Sequence, residues 1–481
     1  MEEALLLGGG GEEKEWKILI RWSAFGEELK RMSYMAVPMV AVMVSLSLMQ
    51  VISVMMVGHL GELPLSGISI ASSFTNVTGF SLIYGMAGAL ETLCGQAYGA
   101  QQYHKLGSYI YSSIISLIPV CIPISIVWIF MNKLLVFLGQ DPEIAEVACR
   151  YSIWLIPGLF AYPFLQSFIR FFQCQSLILP MFFGSWAALC LHIPLCWTFV
   201  YKTNLGVTGA ALSFGLASWF NVILLAVYIR YSSSCEKSRT FVFNDLFLSV
   251  KEFFSFGVPT AVMVCLEWWS FELLVLLSGL LPDSMLETSV LSICLTTTSL
   301  HFYIPYGISA TASTRVSNEL GAGNPEAARF AVGVAMVLAA IEALISSITL
   351  FSCRYVYGYL FSNEAEVVNY VGEILPLICI SVIMDSFQTV MSGVARGTGW
   401  QHIGAYVNLG AYYLVGIPVA AVLCFVVNLR GKGLWIGILS GTCVQVSLLG
   451  LVTGFTNWQK QASKARERIF ERAIVANKEI A

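Results

Sequence analysis

Charge is what this sequence has least of. Asp, Glu, Lys and Arg make up 11% of its 481 residues, where a soluble domain carries about 25%. So few charges cannot give a chain of this length a polar exterior, which excludes an ordinary soluble fold. The net charge is −3 and no run of Lys and Arg is interleaved with aromatics, so nucleic acid is not an expected partner. There is no Walker A sequence, no nucleophile elbow and no HExxH. ATP-driven work on this chain and the common hydrolase chemistries are therefore excluded, and no enzyme activity is expected. The thirteen cysteines form no CxxC pair and no Cys/His cluster of zinc spacing. Cys121, Cys190, Cys265, Cys294 and Cys379 lie inside apolar stretches and read as small hydrophobes. Neither a metal nor a cofactor is expected. The first residues are acidic (Glu2, Glu3, Glu12, Glu13, Glu15) where a cleavable leader begins with positive charge. The first long span is expected to serve as its own targeting signal.

What the chain has is apolar length. Hydrophobic residues are 57% of the total and the mean hydropathy is +0.75. A helix needs about 20 mostly apolar residues to cross the hydrocarbon. Such runs fall near 33–58, 66–98, 108–131, 146–173, 180–201, 207–231, 251–280, 287–316, 328–352, 367–395, 402–426 and 432–457. They predict an all-α polytopic membrane protein of twelve transmembrane helices. Basic residues divide unevenly between the two sides, roughly nineteen to five. The larger group includes Lys30, Arg31, Lys105, Lys237, Arg239, Arg315, Arg329, Lys464 and Arg466. The smaller one is Lys133, Lys202, Arg354, Arg430 and Lys432. This predicts that both tails and the central linker are cytoplasmic.

The chain also repeats itself. MAVPMVAVM at 35–43 aligns with FGVPTAVMV at 256–264, so that Pro38 falls on Pro259. Tyr84-Gly85 falls on Tyr306-Gly307, GQAYGA at 95–100 on SNELGA at 317–322, Gln166 on Gln388 and Pro194 on Pro418. Both copies start on the same side of the bilayer, which makes them parallel six-helix repeats. The predicted organisation is an N-terminal tail (1–32), an N-lobe (33–231), a linker (232–250), a C-lobe (251–457) and a C-terminal tail (458–481). The last reads as a basic, partly amphipathic helix on the membrane surface. Two such lobes can rock about a shared interface and open a cavity to either side in turn.

Ionisable groups at mid-span are expensive and mark function. Glu267 and Asp385 lie about midway along the seventh and tenth spans, and their repeat counterparts are uncharged. Duplication of the scaffold thus does not account for them. Ser381, Gln388, Thr389 and Ser392 share the helix face of Asp385. Ser270 shares the face of Glu267, with Trp268 and Trp269 beside it. A carboxylate next to aromatic rings suits an amphipathic organic cation. Pro38 and Pro259 are the expected helix kinks. Other ionisable groups read as structural. Glu91 is expected to bond locally or bridge the halves, and Arg170 and Arg396 to sit at helix ends. Glu272 falls on a different helix face from Glu267, Glu342 is a lone acid, and His301 is a packing group.

ETLCGQAYGAQQYHKLG (91–107), RVSNELGAGNPEAAR (315–329), ARGTGWQHIGAYVNL (395–409) and the Pro38/Pro259 pair resemble the plant branch of the multidrug and toxic compound extrusion (MATE) transporters. The resemblance spans about residues 30–460. It implies two lobes arranged in a V and export of amphipathic, often cationic compounds in exchange for protons. For the plant branch it implies coupling through acidic residues of the C-lobe, here Glu267 and Asp385. Some bacterial members couple through an acid in the first helix, and this first span has none. The predicted function is a proton-coupled antiporter for xenobiotics or secondary metabolites in the plasma or vacuolar membrane, acting as a monomer. Sodium coupling and a lipid-headgroup flippase are the alternatives. The flippase would favour a basic cavity, and mid-span Lys and Arg are scarce.

Overall fold

The computed structural model describes residues 3–203, 205–240, 246–281, 284–362 and 364–480, with side chains described for 22–470 of these except residues 284 and 285. Linker residues 241–245, and the tail side chains of Lys14, Lys17, Arg21, Arg472 and Lys478, lie outside that description. Helix is the rule, and no strand occurs among the described residues. With no water in hydrocarbon to bond exposed backbone, helices that satisfy themselves are one of the two solutions open to a spanning chain.

In chain order the long helices are α1 (Glu3–Gly58), α2 (Glu62–Gly99), α3 (Tyr103–Ile129), α4 (Pro142–Cys174), α5 (Ile178–Lys202) and α6 (Val207–Tyr231). The second half adds α7 (Leu246–Ser278), α8 (Ser284–Ala322), α9 (Pro325–Ser352), α10 (Ala365–Thr398), α11 (Gln401–Val426) and α12 (Arg430–Gly454). Eleven of these are long and apolar enough to cross a membrane. The twelfth, α8, is the most polar of the set, with Thr296, Thr297, Thr298 and His301 along it. It is also long, at 39 residues, and it packs against α1, α2, α9 and α10. A helix sheltered by protein on so many sides does not need lipid-soluble side chains. The expected spans differ from these helices mostly by a few residues. The main departure is at the start, where the backbone of tail residues 3–32 continues α1 rather than preceding it. The C-terminal segment is a separate helix, α13 (Trp458–Ile480).

Ten prolines lie beyond the first turn of these helices, Pro38 in α1 and Pro259 in α7 among them. Each removes a backbone donor and bends the helix or forces a local change of winding. A π-helical stretch at Thr198–Lys202 follows Pro194, and another at Val422–Val426 follows Pro418. Those prolines are repeat partners, so the same irregularity recurs in each half. Two further π segments, Leu409–Gly416 before Pro418 and Asn76–Phe80 in α2, interrupt the winding.

The two halves meet through contacts that occur twice. Gly85 in α2 is in close contact with Ala261 in α7, two residues after Pro259. Its counterpart Gly307 in α8 rests against Val40 in α1, two residues after Pro38. Near the end of α2, Gly99 lies against the Asn318 backbone, and its counterpart Gly321 in α8 lies against the Gln96 backbone. Each contact is the image of its partner under the repeat, as an axis along the membrane normal requires. A methyl group at Gly99 or Gly321 would overlap a backbone carbonyl, so only glycine permits this approach.

Residues 28, 105, 238, 240 and 466 all bond to or pack against the same end of the bundle. Arg315 pairs with Glu28 at 2.6 Å, Lys105 bonds the Ile469 carbonyl, and Ser238 donates to Gln175 at 2.8 Å. We call this the tail end. There α13 touches both halves: Trp458 meets Trp400 of the second at 5.9 Å, and the Ile469 carbonyl accepts from Lys105 of the first.

Forcing a side chain into the glycine seam tests its tightness. Gly99→Val is expected to destabilise the protein by about 1–3 kcal/mol or more through overpacking. A thermal melt of detergent-solubilised protein reads this directly. An unshifted midpoint would show that the two helices are not in contact.

Candidate functional site

Between the halves lies a cavity of about 390 Å³, and both contribute to its wall. The first half supplies Gln50 from α1, Ser72, Asn76, Phe80 and Tyr84 from α2, and Tyr151, Tyr162 and Gln166 from α4. The second half supplies Glu267, Trp268, Phe271 and Glu272 from α7, Thr298, Phe302, Tyr303 and Tyr306 from α8, and Asp385 from α10. Asn76 and Phe80 belong to the π segment of α2. The extra residue in such a turn re-aims side chains, and these two reach the cavity wall. The lining holds three carboxylates and, among the described residues, no lysine or arginine.

Glu267 is tied into the second half. Asn408 donates to its Oε2 at 3.4 Å and to the Met263 carbonyl at 2.8 Å. Gln445 donates to Asn408 at 2.7 Å, and Tyr412 donates to Gln445 at 2.7 Å. This chain fixes the orientation of the carboxylate from behind. Asp385 lines the same cavity, and its ionisable neighbours include Glu267, His301 and Glu342. The last two do not line it. His301 Nε2 lies 2.7 Å from Glu342 Oε1, and Ser346 and Ser386 donate to the same carboxylate at 2.8 and 2.7 Å. Glu342 is therefore not a lone acid but a partnered one inside the second half.

Of the six side chains expected beside the substrate, Trp268 alone lines the cavity. It stacks on Tyr84 from the other half at 5.5 Å and 24°. Trp269 points away and donates its indole N–H to the Val77 carbonyl at 3.1 Å. Ser270 is buried on the Glu267 carbonyl, and Ser381 accepts from Trp435 at 2.9 Å. Gln388 and Thr389 are bonded to each other at 3.0 Å, with Gln388 a neighbour of the Glu267 carboxylate. These residues lie on α7 and α10, and the cavity sees a narrower strip of each helix, because α11 packs on α7 and α8, α9 and α12 pack on α10. Glu272, in contrast, does line the cavity and accepts from Ser73 of α2 at 2.7 Å. The wheel argument separated it from Glu267. A cavity that runs along α7 takes in both residues. No signal in a single sequence would have found the aromatic contribution of α2 and α4.

Toward the tail end the cavity is closed by charge. Glu91 is 1% exposed and meets Arg170 at 3.2 Å and Arg396 at 2.9 Å. Arg170 belongs to the first half and Arg396 to the second. Arg170 also donates to Tyr306 at 2.9 Å and lies 5.2 Å from the Tyr84 ring. Both tyrosines line the cavity, so they stand between the guanidinium and the space above. Around this core, Gln173 donates to the Ala310 carbonyl at 3.0 Å and Gln96 to the Gly397 carbonyl at 3.2 Å. Asn318 donates to the Cys174 carbonyl at 3.1 Å, and Thr92 to the Arg396 carbonyl. Glu91 thus bridges the halves. Arg170 and Arg396 belong to this lock and are not helix-end groups reaching toward solvent. No group of three His, Cys, Asp or Glu side chains among the described residues is placed to hold a metal ion.

A duplicated helical bundle with an acidic, aromatic cavity on its own axis, sealed at one end by bonds between the halves, has the architecture of a solute transporter. The MatE family model matches the chain twice, over residues 38–198 and 259–422. The chain belongs to this family, the MATE transporters. Protein DETOXIFICATION 8 of Arabidopsis thaliana is 59% identical over 445 residues, covering 92% of each chain. Protein DETOXIFICATION 9 of the same plant is 53% identical over 474 residues, covering 98% of each. The crystal structure of the eukaryotic MATE transporter AtDTX14 is 56% identical and superposes with a TM-score of 0.89, covering 92% of this chain and 99% of that one. A MATE structure in a bent conformation shares the two-lobed fold at 17% identity, with a TM-score of 0.81.

The lock carries one negative charge between two positive ones. Glu91→Gln leaves both guanidiniums buried without a counter-ion, and breaking such a pair costs about 3–5 kcal/mol. The variant is expected to melt well below the parent. Adding Arg396→Met should recover part of the loss. A double variant no more stable than Glu91→Gln would show that the two charges do not interact.

Proposed function

We propose that this transporter exports amphipathic organic cations from the cytoplasm in exchange for protons, and that Glu267 and Asp385 carry the coupling. The observation that supports this most is the cavity lining: Glu267, Glu272 and Asp385 among aromatic rings, with no basic side chain beside them. Such a wall attracts a cation electrostatically and gives its flat surface ring faces to lie on. It repels the anionic headgroup that a flippase would handle.

In the proposed cycle the cation rests against ionised Glu267 and Asp385 while the cavity is open away from the cytoplasm. Protons arriving from that side neutralise the carboxylates and weaken their hold, and the cation leaves. Loss of charge on Glu267 alters its bond from Asn408, and α7 adjusts around Pro259, eight residues earlier in the helix. The lobes rock, the Glu91 lock opens, and protons pass to the less acidic cytoplasm. Cation and proton compete for one pair of negative charges, and this competition makes the exchange obligatory. Pro38 serves the first half as the matching bend. The tails and linker are assigned to the cytoplasm by their basic residues. The membrane is that of the cell surface or the vacuole, beyond which the solution is acidic. One chain holds a complete cavity, in keeping with a monomer.

Two experiments test these assignments. In proteoliposomes with an imposed proton gradient, Glu267→Gln and Asp385→Asn keep shape and much of the hydrogen bonding but cannot titrate. Each is expected to reach the membrane at normal abundance and to lose export of a cationic dye by at least tenfold. Parental export that still depends on the proton gradient would make the pair structural, and uptake driven equally by sodium alone would replace the proton. In intact cells, epitope tags at either end should become accessible only after permeabilisation. A tag readable from outside would reverse the orientation.

A further inference from the structure

Gln166 and Gln388 occupy the same position in the two repeats, and the fold treats them differently. Gln388 is satisfied inside the second half. Its Oε1 accepts from Thr389 at 3.0 Å and its Nε2 donates to Ser392 at 3.3 Å. It does not line the cavity. Gln166 does line it, is only 3% exposed, and its Oε1 has no hydrogen-bond partner among the described residues. Tyr162, one turn earlier on α4, also lines the cavity and neighbours the amide. Across from them on α2, Ser72 lines the same cavity with its hydroxyl beside Tyr151.

A buried polar oxygen left unbonded costs about 1–3 kcal/mol. The fold satisfies this side chain in one repeat and leaves the oxygen of its image unbonded and buried at the cavity wall in the other, so the difference has no basis in the scaffold. Gln166 also lies on the wall that lacks carboxylates. Glu267, Glu272 and Asp385 come from the second half, while Gln166 and Ser72 come from the first. The first-half wall offers neutral acceptors that do not titrate.

We propose that Gln166, with Ser72, is a neutral subsite that accepts a hydrogen bond from an N–H or O–H group of the cargo, remote from its positive centre. The preferred cargo is then a flat cation with a second donor at its far end, held by charge on one lobe and by this bond on the other. The inference rests on reading the cavity as a cation site. It adds a selection that charge and aromatic contact cannot make, because a site built to bond a donor discriminates against an analogue that lacks it.

Proflavine and acridine orange test this as a matched pair. Both are planar acridine cations; the first carries two primary amino groups, and the second has them fully methylated. Their affinities for purified full-length protein in detergent are measured by fluorescence titration. In Gln166→Leu the ratio of proflavine to acridine orange affinity is expected to fall about five- to tenfold, the worth of one hydrogen bond. Gln166→Glu keeps an acceptor oxygen in place and should hold the ratio at or above that of the wild type. If the leucine variant is not recovered folded, Gln166→Met gives the same reading. An unchanged ratio overturns the subsite, including the case in which both dyes weaken equally, which marks a packing role. A wild type that binds neither dye overturns the cation reading beneath it. The expected shift in ratio without proton-driven flux supports the subsite and removes only the proton coupling.

Discussion

Glu91 carries one charge and holds two, and the two belong to opposite halves of the molecule. Everything above it depends on that arrangement. With Arg170 and Arg396 drawn to the same carboxylate, the lobes are joined at one end and a cavity remains between them. The desolvation cost of three buried charges is large, and their attraction only partly offsets it. Such a lock contributes little net stability compared with a well-packed apolar seam. It contributes specificity, since the closed arrangement is the one in which all three charges and Tyr306 are satisfied. Water entering from the tail end would solvate the same groups separately, so the lock has a second low-energy state available.

The frame is symmetric and the chemistry is not. Gly85 with Gly307, Gly99 with Gly321, and Pro38 with Pro259 recur as pairs under the repeat. With Gln166 placed on Gln388, Arg170 falls on Ser392 and Arg396 on Cys174. Glu267 and Asp385 likewise have uncharged images. Duplication supplied two bundles able to move against each other. Each functional group was then placed in one bundle alone, so the cavity has an acidic wall facing a neutral one.

Much of this was legible in the residues because the bilayer imposes a strong rule. Long apolar runs gave the helices to within a few residues, α8 among them despite its polarity. Glu267 and Asp385 stood out as mid-span charges without images. Trp269, Ser270, Ser381, Gln388 and Thr389 were drawn toward the cavity by helix-face reasoning, yet the last four bond within the second half and Trp269 bonds across to Val77 of the first. Periodicity tells which residues share a face; it does not tell how much of that face a neighbouring helix covers. Glu272 was separated from Glu267 for a similar reason, because a wheel ignores the length of a cavity along the axis. The Glu91 lock was hidden because its members lie far apart in sequence.

The seam between α2 and α8 has a further consequence. Gly99 lies on the Asn318 backbone and Gly321 on the Gln96 backbone, so at these two points main chain meets main chain. Interlocked knobs must each find a new rotamer before two surfaces can slide, and every such step adds friction. Smooth faces of glycine and carbonyl groups separate without that rearrangement and rejoin in one register. The seam therefore behaves as a clutch plate: a few polar bonds decide whether it is engaged, and the faces themselves add little drag to the motion.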